Sequence, residues 1–302
     1  MKISIAITNH NQEKTVDFCI KQLQNQSIIP YEIFVLSDGK KYYNKDATCI
    51  NNKIKKGRCD NRNSVIEEFL ATDSDALIFL DGDTYPKDTT FLEKYNKLLN
   101  KYDLIFGTRE HTSINGLKLP ASDLLTANMD ELWLGKDLNY TDLRIVSGAV
   151  DAFQNAKTFD EKLDLMITGM IGWSCNFALT RDGIIKLTEF MQEKYNIKNC
   201  IFDSTTFSKN WGYEDVAMGI DALFAGLNIW IDEKVTVIHQ SHNRSDGLFD
   251  HIKGRHLIMN RYRNLINTNN IKNKTYMSII LLYGFFMVGV ITGLITGYCA
   301  FI

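Results

Sequence analysis

The sequence predicts an α/β fold in which a mostly parallel β-sheet is flanked by helices, and three observations support that prediction. Apolar runs of strand length alternate with stretches of helical periodicity along the first half of the chain. The run Ala76–Leu80 is wholly apolar, which is typical of a strand buried on both faces of a parallel sheet. A strand, a helix and a second strand follow one another between Ile3 and Leu36, an order that indicates a parallel pair with a crossover helix.

The first half of the chain gives the clearest elements. The predicted strands are Ile3–Ile7, Glu32–Leu36, a short strand near Ala47–Ile50, Ala76–Leu80 and Leu104–Gly107. The predicted helices are one with Val16, Cys19, Ile20 and Leu23 on its inner face, then Arg62–Leu70 and Phe91–Asn100. Pro30 marks the end of the first helical region.

The second half begins with an irregular stretch, Thr108–Thr168, in which helix-like and loop-like patches are mixed. A long stretch that does not follow the alternation of strands and helices is typical of partner or substrate contacts, so we expect it to help select what the protein binds. The elements predicted beyond it are strands at Asn176–Leu179, Ile229–Ile231 and Val235–Ile238, and helices at Arg181–Lys194 and Glu214–Phe224. Gly226 is the expected stop of the last of these helices.

Composition narrows the functional class. The 302 residues can form one large domain or two small ones, and 45% of them are hydrophobic, which suits a globular core. A formal net charge of -2 does not indicate a nucleic-acid binder. The six cysteines form no CxxC pair, so we expect reduced thiols in a reducing compartment. Met1 leads almost directly into a strand pattern, so we expect no secretory signal peptide.

The C-terminal segment differs from the rest, because Met277–Ile302 contains no charged residue. As a helix it would span roughly 39 Å, enough for a bilayer core of about 30 Å. We therefore predict a transmembrane helix at 276–302, preceded by a basic juxtamembrane segment at 251–275. By the positive-inside tendency, we expect the side that carries these basic residues, with the domain before it, to lie in the cytoplasm. The alternative is a buried amphipathic helix of the soluble domain.

Asp81-Gly82-Asp83 is the strongest chemical signal. Two carboxylates flank a glycine directly after the apolar run Ala76–Leu80, at a strand end where ligands of open α/β sheets bind. Adjacent carboxylates repel each other unless a cation lies between them, and a hard divalent ion would also bridge to a diphosphate. We interpret Gly82 as the residue that lets the backbone approach the ligand. The alternative is a solvent-exposed acidic turn.

Several segments in this order resemble the GT-A fold of family 2 glycosyltransferases. They are Ile5–Asn11, Asp38, Arg58–Asn63 and Phe79–Asp83. Downstream, Gly172–Leu179 and Trp211–Asp215 are similar to the acceptor half of the β-galactosyltransferase and chondroitin-polymerase type. The resemblance covers roughly residues 2 to 245. It implies a Rossmann-like GT-A domain at 1–250, with a nucleotide-sugar half at about 1–107 and an acceptor half at about 108–250.

The resemblance implies roles for the donor side. Thr8 and Asn9 would line the base and ribose pocket, and Asp38 would contact the nucleoside, commonly uridine. Arg62 would lie near the base or the diphosphate. Asp81 would contact ribose or metal and Asp83 would bind the metal, with Mn²⁺ or Mg²⁺ as the expected ion. Simpler interpretations remain open, since Asp38 could be a turn residue and Arg62 a surface residue at a helix start.

By the same resemblance, His239 or His242 would complete the metal site, and neutral imidazole is an acceptable ligand for Mn²⁺ beside carboxylates. His239 is the first choice, and a solvated histidine pair on a loop is the alternative. Arg244 could neutralise the leaving diphosphate, or could be a surface residue.

The acceptor side centres on Glu214-Asp215 at a helix start. An inverting transfer needs a base that deprotonates the acceptor hydroxyl. By resemblance Asp215 is that base and Glu214 orients sugar hydroxyls; alternatively both are acidic first-turn residues favoured by the helix dipole. Trp173 and Trp211 could stack on a sugar ring or be buried core aromatics. Asn176 could bind sugar hydroxyls or cap a strand end.

The expected activity is transfer of a sugar from a nucleotide diphosphate donor to a glycan, glycolipid, glycoprotein or lipid-linked acceptor. A sugar nucleotidylyltransferase is the second candidate, but Thr8–Asn11 occupies the place of its glycine-rich phosphate loop. A non-catalytic sugar-binding protein is the third, although all the expected acids are present.

Overall fold

The computed structural model describes residues 1–52, 56–112, 148–167, 171–172, 175–207, 212–240 and 248–268. The chain divides into two compact units, residues 1–259 and 260–302. The first unit contains the α/β fold, and the described part of the second is the end of a helix. Within the described ranges no helix is long and apolar enough to cross a membrane, and the segment predicted to do so, 276–302, lies outside them.

Eight strands form one sheet in the described part of the chain, in the order β3–β2–β1–β4–β7–β6–β8–β5. Their bounds are β1 Ile3–Asn9, β2 Glu32–Asp38, β3 Thr48–Asn52, β4 Ala76–Leu80, β5 Thr84–Pro86, β6 Leu104–Thr112, β7 Asn176–Thr180 and β8 Ile229–Gln240. Strands β1, β2, β3 and β4 run parallel, as do β6 and β8, whereas β7 runs antiparallel to β4 and β6. The predicted mixed, mostly parallel sheet is therefore confirmed.

Helices lie between and after these strands. Their bounds are α1 Glu13–Gln24, α2 Arg58–Asn63, α3 Ile66–Ala71, α4 Phe91–Leu99, α5 Ala149–Asn155, α6 Phe159–Ile167, α7 Arg181–Tyr195, α8 Ser204–Phe207, α9 Glu214–Phe224 and α10 Leu248–Thr268. The predicted inner face of α1 is the one that is buried. Helices α5 and α6 lie within the stretch that the sequence pattern left irregular.

The helix predicted at Arg62–Leu70 is in fact two helices, α2 and α3. The Ser64 hydroxyl donates to the carbonyl of Asn61 at 2.6 Å, and the Val65 amide bonds instead to the Arg62 carbonyl at 3.5 Å. A serine hydroxyl that competes for a helix carbonyl favours a break of this kind. Arg62 lies in the last turn of α2, directly before this break.

Strand β8 is continuous, although the sequence predicted two short strands there. Its pairing with β6 shifts register between Phe106 and Thr108. Residues Asp232–Lys234 take up the excess length, and Asp232 accepts a hydrogen bond from the Lys234 amide at 2.8 Å. The polar interruption in the sequence is thus a bulge in one strand.

The core surrounds β4, whose five residues are all buried, as predicted for a strand covered on both faces. Phe79 of β4 stacks on Phe177 of β7 with 4.7 Å between ring centroids. This packing places the end of β4 at a fixed position beside the start of β7.

Asn176, the first residue of β7, joins three strands and a helix. Its amide nitrogen donates to the carbonyls of Thr108 and Val235 at 3.1 and 3.0 Å, and its amide oxygen accepts from the Tyr95 hydroxyl at 2.7 Å. The side chain is fully buried. A Cβ at Gly107 would lie 2.2 Å from the Asn176 amide nitrogen, so glycine is required there.

We expect Asn176→Ala to lower the free energy of unfolding by about 2–4 kcal/mol, because it removes three buried hydrogen bonds, two to strand carbonyls and one from the Tyr95 hydroxyl. Urea denaturation measures this change. Tyr95→Phe is the matched control, since it removes one hydroxyl and should cost about 1–2 kcal/mol. A loss below about 1 kcal/mol for Asn176→Ala would contradict the conclusion that Asn176 joins these strands and the helix.

Candidate active site

Polar residues converge at one edge of the sheet, because parallel strands end on the same side. Asn9 ends β1, Asp38 ends β2, and Asp81 follows β4, and these three strands are direct neighbours. Strand β8 runs in the same direction through β6 and β7, and His239 lies next to its end. The sequence-predicted donor and metal residues of these strands are therefore brought together.

The loop Asp81–Asp83 packs directly on the end of β1. A Cβ built at Gly82 would lie 2.2 Å from the Thr8 carbonyl oxygen and 2.7 Å from Oε1 of Gln12. Any side chain would push the loop away from β1. Gly82 is thus required by the contact with Thr8 within the protein. From the sequence alone, Gly82 is interpreted as the residue that lets the backbone approach a ligand.

Asp83 is held between two side chains. Its Oδ2 accepts a hydrogen bond from Nε2 of Gln12 at 3.2 Å and lies 3.5 Å from Nε2 of His239. The side chains of His239 and Asp83 are 4% and 11% exposed, so both are largely buried. Two of the residues predicted as metal ligands are therefore neighbours.

Arg62 connects the two acidic clusters. Its Nη2 donates to Oδ1 of Asp81 and its Nη1 donates to Oε1 of Glu214, each at 2.9 Å. Glu214 lies 152 positions further along the chain. The guanidinium also lies 5.4 Å from the centre of the Phe202 ring. One buried cation therefore fixes the distance between the strand-end acids and the start of α9.

Burial and charge act in opposite directions on this network. Burial alone would raise the pKa of Glu214, but Arg58 and Arg62 hold it below its usual range. Burial alone would lower the pKa of Arg62, but Asp81, Glu214 and Asp215 raise it above its usual range. Both groups are therefore charged at neutral pH. Removing one partner of an ion pair this deeply buried strongly destabilises the folded protein.

Asp215 follows Glu214 in the first turn of α9 and is only partly buried. Its Oδ1 accepts a hydrogen bond from the Val216 amide at 2.8 Å. Glu214 is 2% exposed and its carboxylate binds arginines, so it acts in the protein as the partner of Arg62. Of the two acids, Asp215 is the one with access to a substrate.

Two predicted donor residues also shape loops. Asn9 accepts from the Gln12 amide at 3.1 Å and donates to Oγ of Ser37 at 3.3 Å. The carboxylate of Asp38 accepts the backbone amides of Lys56 and Gly57 at 2.6 and 3.1 Å. These bonds tie the loops after β1 and β3 to the edge of the sheet.

Asn176 does not fit the predicted acceptor role. It is fully buried, and its amide bonds to Tyr95 and to two strand carbonyls. Both of its amide hydrogens and its amide oxygen are therefore engaged by protein groups. Of the two sequence interpretations, the structural one agrees with the geometry. The other predicted acceptor residues, Trp173 and Trp211, lie outside the described residues, as do His242 and Arg244.

The three predicted metal residues differ in their surroundings. Oδ1 of Asp81 accepts a hydrogen bond from Arg62, whereas Asp83 and His239 lie beside each other. Over the ranges that the structure describes, no three histidine, cysteine, aspartate or glutamate side chains are grouped closely enough to hold a metal ion. Asp83 and His239 therefore form a two-residue donor set of one carboxylate and one imidazole.

Two residues of this site were not identified from the sequence. Gln12 contacts Asp83, and Arg58 lies 3.9 Å from Glu214. Arg58 belongs to the segment that carried the family resemblance, and its spacing of four from Arg62 on α2 was the available signal. Gln12 carried no such signal, because its contact depends on how the loop after β1 folds.

We expect Arg62→Met to lower the free energy of unfolding at neutral pH by about 3–5 kcal/mol, because two carboxylates lose their buried partner. The lowered pKa of Glu214 contributes stability above its ordinary value of 4.5, and that stability is lost as the pH falls through the folded pKa. Without Arg62, burial of Glu214 should favour the protonated form. The difference between wild type and variant should therefore grow as the pH rises from 4 to 7.

Denaturant titrations across this pH range measure the difference. Lys97→Met is the control, since the Lys97 side chain is 72% exposed and the loss of its surface pair with Glu93 should leave the free energy of unfolding nearly unchanged. A pH-independent difference between wild type and Arg62→Met would rule out Glu214 as the group that responds.

Comparison with solved structures identifies similar folds at low sequence identity. The mannosyltransferase PcManGT from Pyrobaculum calidifontis, solved with GDP-Man and Mn²⁺, is 9% identical with a TM-score of 0.50, over 81% of this chain and 58% of that one. TarS 1-349 from S. aureus, solved with UDP, is 14% identical with a TM-score of 0.49, over 85% of this chain and 64% of that one. The chain thus spans less than two thirds of either protein. At these identities the likeness concerns the fold alone.

Comparison with curated proteins found no significant match. The family model described as Glycosyl transferase family 2 matches residues 4–188, which is more than half of the 302 residues. The matched range includes nearly all of β1, the loop Asp81–Asp83 and β7, whereas α9 and β8 lie beyond it. The chain belongs to glycosyltransferase family 2.

Proposed function

We propose that this protein is an inverting, metal-dependent glycosyltransferase that moves a sugar from a nucleotide diphosphate donor to a hydroxyl acceptor. The observation that carries the proposal is the Arg62 bridge, which holds Asp81 and Glu214 each within 2.9 Å of one guanidinium. A donor at the strand ends and an acceptor near α9 would therefore share one site. Membership of the family also argues against the nucleotidylyltransferase alternative.

The donor diphosphate would be bound with a divalent cation held by Asp83 and His239. Their oxygen and nitrogen donors suit Mn²⁺, and Mg²⁺ is also commonly bound by one or two carboxylates together with substrate phosphates. When bound, the cation would stabilise the negative charge of the leaving nucleotide diphosphate. Gln12 would keep the Asp83 carboxylate oriented, since it donates to Oδ2.

Asp215 would act as the base. It would accept the proton of the acceptor hydroxyl while that oxygen forms a bond to the anomeric carbon. The bond from that carbon to the diphosphate oxygen breaks at the same time, and its electron pair leaves with the nucleotide. Attack from the face opposite the leaving group inverts the anomeric centre. Glu214 supports this step by fixing Arg62 beside Asp215.

The donor is proposed to be a UDP-sugar, with its uracil ring near Thr8, Asn9 and Asp38 at the ends of β1 and β2. The similar structures were solved with UDP or with GDP-Man, so the choice between the uracil and guanine nucleotides requires a direct test. Screening a panel of nucleotide sugars for metal-dependent hydrolysis identifies the donor. An acceptor half of the β-galactosyltransferase and chondroitin-polymerase type, with Trp173 and Trp211 against the sugar, completes the proposal.

The acceptor is proposed to be a glycan or a lipid-linked sugar at a membrane surface. This part rests on the uncharged segment Met277–Ile302, proposed as a membrane anchor with the catalytic domain on the cytoplasmic side. Fractionation of cells that express the full chain, compared with a chain ending at residue 268, tests the anchor.

We expect Asp83→Asn to reduce metal-dependent donor hydrolysis and transfer at least 100-fold, because the cation loses its carboxylate ligand. Titration of Mn²⁺ in the presence of UDP, followed by electron paramagnetic resonance, should show weaker binding of the ion. Asp73→Asn is the control, since its carboxylate is 82% exposed on the surface. Full activity of Asp83→Asn would remove the proposed metal role.

We expect Asp215→Asn to reduce transfer by about 10²- to 10⁴-fold while UDP binding with Mn²⁺ stays within twofold of wild type. The amide cannot accept the hydroxyl proton, but it preserves the shape of the first turn. Asp182→Asn is the matched control, because Asp182 is an exposed acid in the first turn of α7. Transfer at the wild-type rate would show that another group is the base.

A further inference from the structure

A glycine inside α10 makes room for an aromatic ring next to the proposed base. A Cβ built at Gly254 would lie 2.4 Å from Cδ2, 2.9 Å from Cγ and 3.1 Å from Cε2 of Tyr213. Glycine inside a helix costs about 1 kcal/mol relative to alanine. The close packing against Tyr213 is the physical reason for a glycine at this position.

Tyr213 itself has an unusual backbone. It immediately precedes α9 and has a φ of 70°, directly after Gly212 with a φ of 76°. A bulky residue in the left-handed region is strained by about 1–3 kcal/mol, so surrounding contacts must hold it there. The Tyr213 carbonyl accepts the Ala217 amide at 2.9 Å, so the strained residue also begins the hydrogen bonding of α9.

The backbone that follows Tyr213 also has a close neighbour. A Cβ at Gly172 would lie 3.3 Å from Cα of Val216 and 3.5 Å from the carbonyl oxygen of Asp215. The first turn of α9 therefore has close neighbours at Gly172 and, through the Tyr213 ring, at Gly254. A shift of the ring would be transmitted to the residues that follow it, Glu214 and Asp215.

We propose that Gly254 and Tyr213 are positioning residues: the ring packed on α10 holds the left-handed turn and thereby sets the direction of the Asp215 carboxylate. This inference rests on the proposed function for its catalytic consequence, but its structural part does not. Helix α10 is then a support of the acceptor side of the site, whereas donor binding depends on the strand ends.

Gly254→Ala tests the proposal, because one methyl group displaces the ring. We expect transfer to fall about 100-fold, as misplacement of a catalytic group by about 1 Å can cost that factor. Binding of UDP with Mn²⁺ should stay within twofold of wild type. Hydrogen–deuterium exchange of the amides of residues 214–218 should become faster, while exchange in β1 and β4 stays unchanged.

Tyr213→Ala and the double variant complete the experiment. Tyr213→Ala removes the ring and should show the same loss of transfer and the same faster exchange. This variant tests the proposal independently if Gly254→Ala does not fold. In the Tyr213→Ala background, Gly254→Ala should have no further effect. Lys253→Ala is the control, since it changes an exposed neighbour on the same helix.

Unchanged exchange at residues 214–218 in both single variants would overturn the proposal, as would additive effects in the double variant. Equal losses of UDP binding and of transfer would also overturn it, because they indicate general damage to the fold. If the wild-type chain transfers no sugar, the proposed function fails and the exchange data still decide whether Gly254 acts through Tyr213.

Discussion

The guanidinium of Arg62 is the constraint on which the rest of the site depends. A cation that is 4% exposed can persist only with full compensation, and the carboxylates of Asp81 and Glu214 supply it at 2.9 Å each. The pairing fixes three separate pieces of chain: the loop after β4, the helix α2 and the start of α9. Helix α2 is in turn held by Asn63, whose amide bonds to the backbone of Ile201 and Phe202. The charge network and its scaffold therefore form one unit.

The sheet explains why these pieces can meet at all. Strands β1, β2 and β4 are parallel neighbours, so the residues that follow them emerge at one edge, and β8 brings His239 to the same edge. Close packing then sets the fine positions. Gly82 lets the acidic loop touch the Thr8 carbonyl, and Gly107 leaves space for the Asn176 amide. In both places the absence of a side chain determines how closely the neighbouring groups pack.

Much of this was predictable from local sequence, and the failures have identifiable causes. The strand Ala76–Leu80 and the acids behind it were correctly placed, because an uninterrupted apolar run is an unambiguous signal for a strand covered on both faces. The partnership of Arg62 with Glu214 was not predictable, since it spans 152 positions and depends on the path of the chain.

Asn176 shows a different limit: an asparagine at a strand end looks the same in sequence whether its amide faces a ligand or two neighbouring carbonyls. The bulge in β8 was read as two strands because a polar interruption does not reveal whether pairing continues around it.

The charges also indicate how a donor would be received if the proposed function holds. Asp81 and Glu214 are already neutralised by Arg62, with Arg58 3.9 Å from Glu214. Asp83 accepts a hydrogen bond from the neutral Gln12 and lies 3.5 Å from His239. A diphosphate that approaches Asp83 would meet the negative charge of its carboxylate, and like charges at a few ångströms repel. A divalent cation converts that repulsion into attraction on both sides, so the cation and the nucleotide should bind more tightly together than either binds alone. Such reciprocal coupling is required by linkage whenever one ligand raises the affinity for the other.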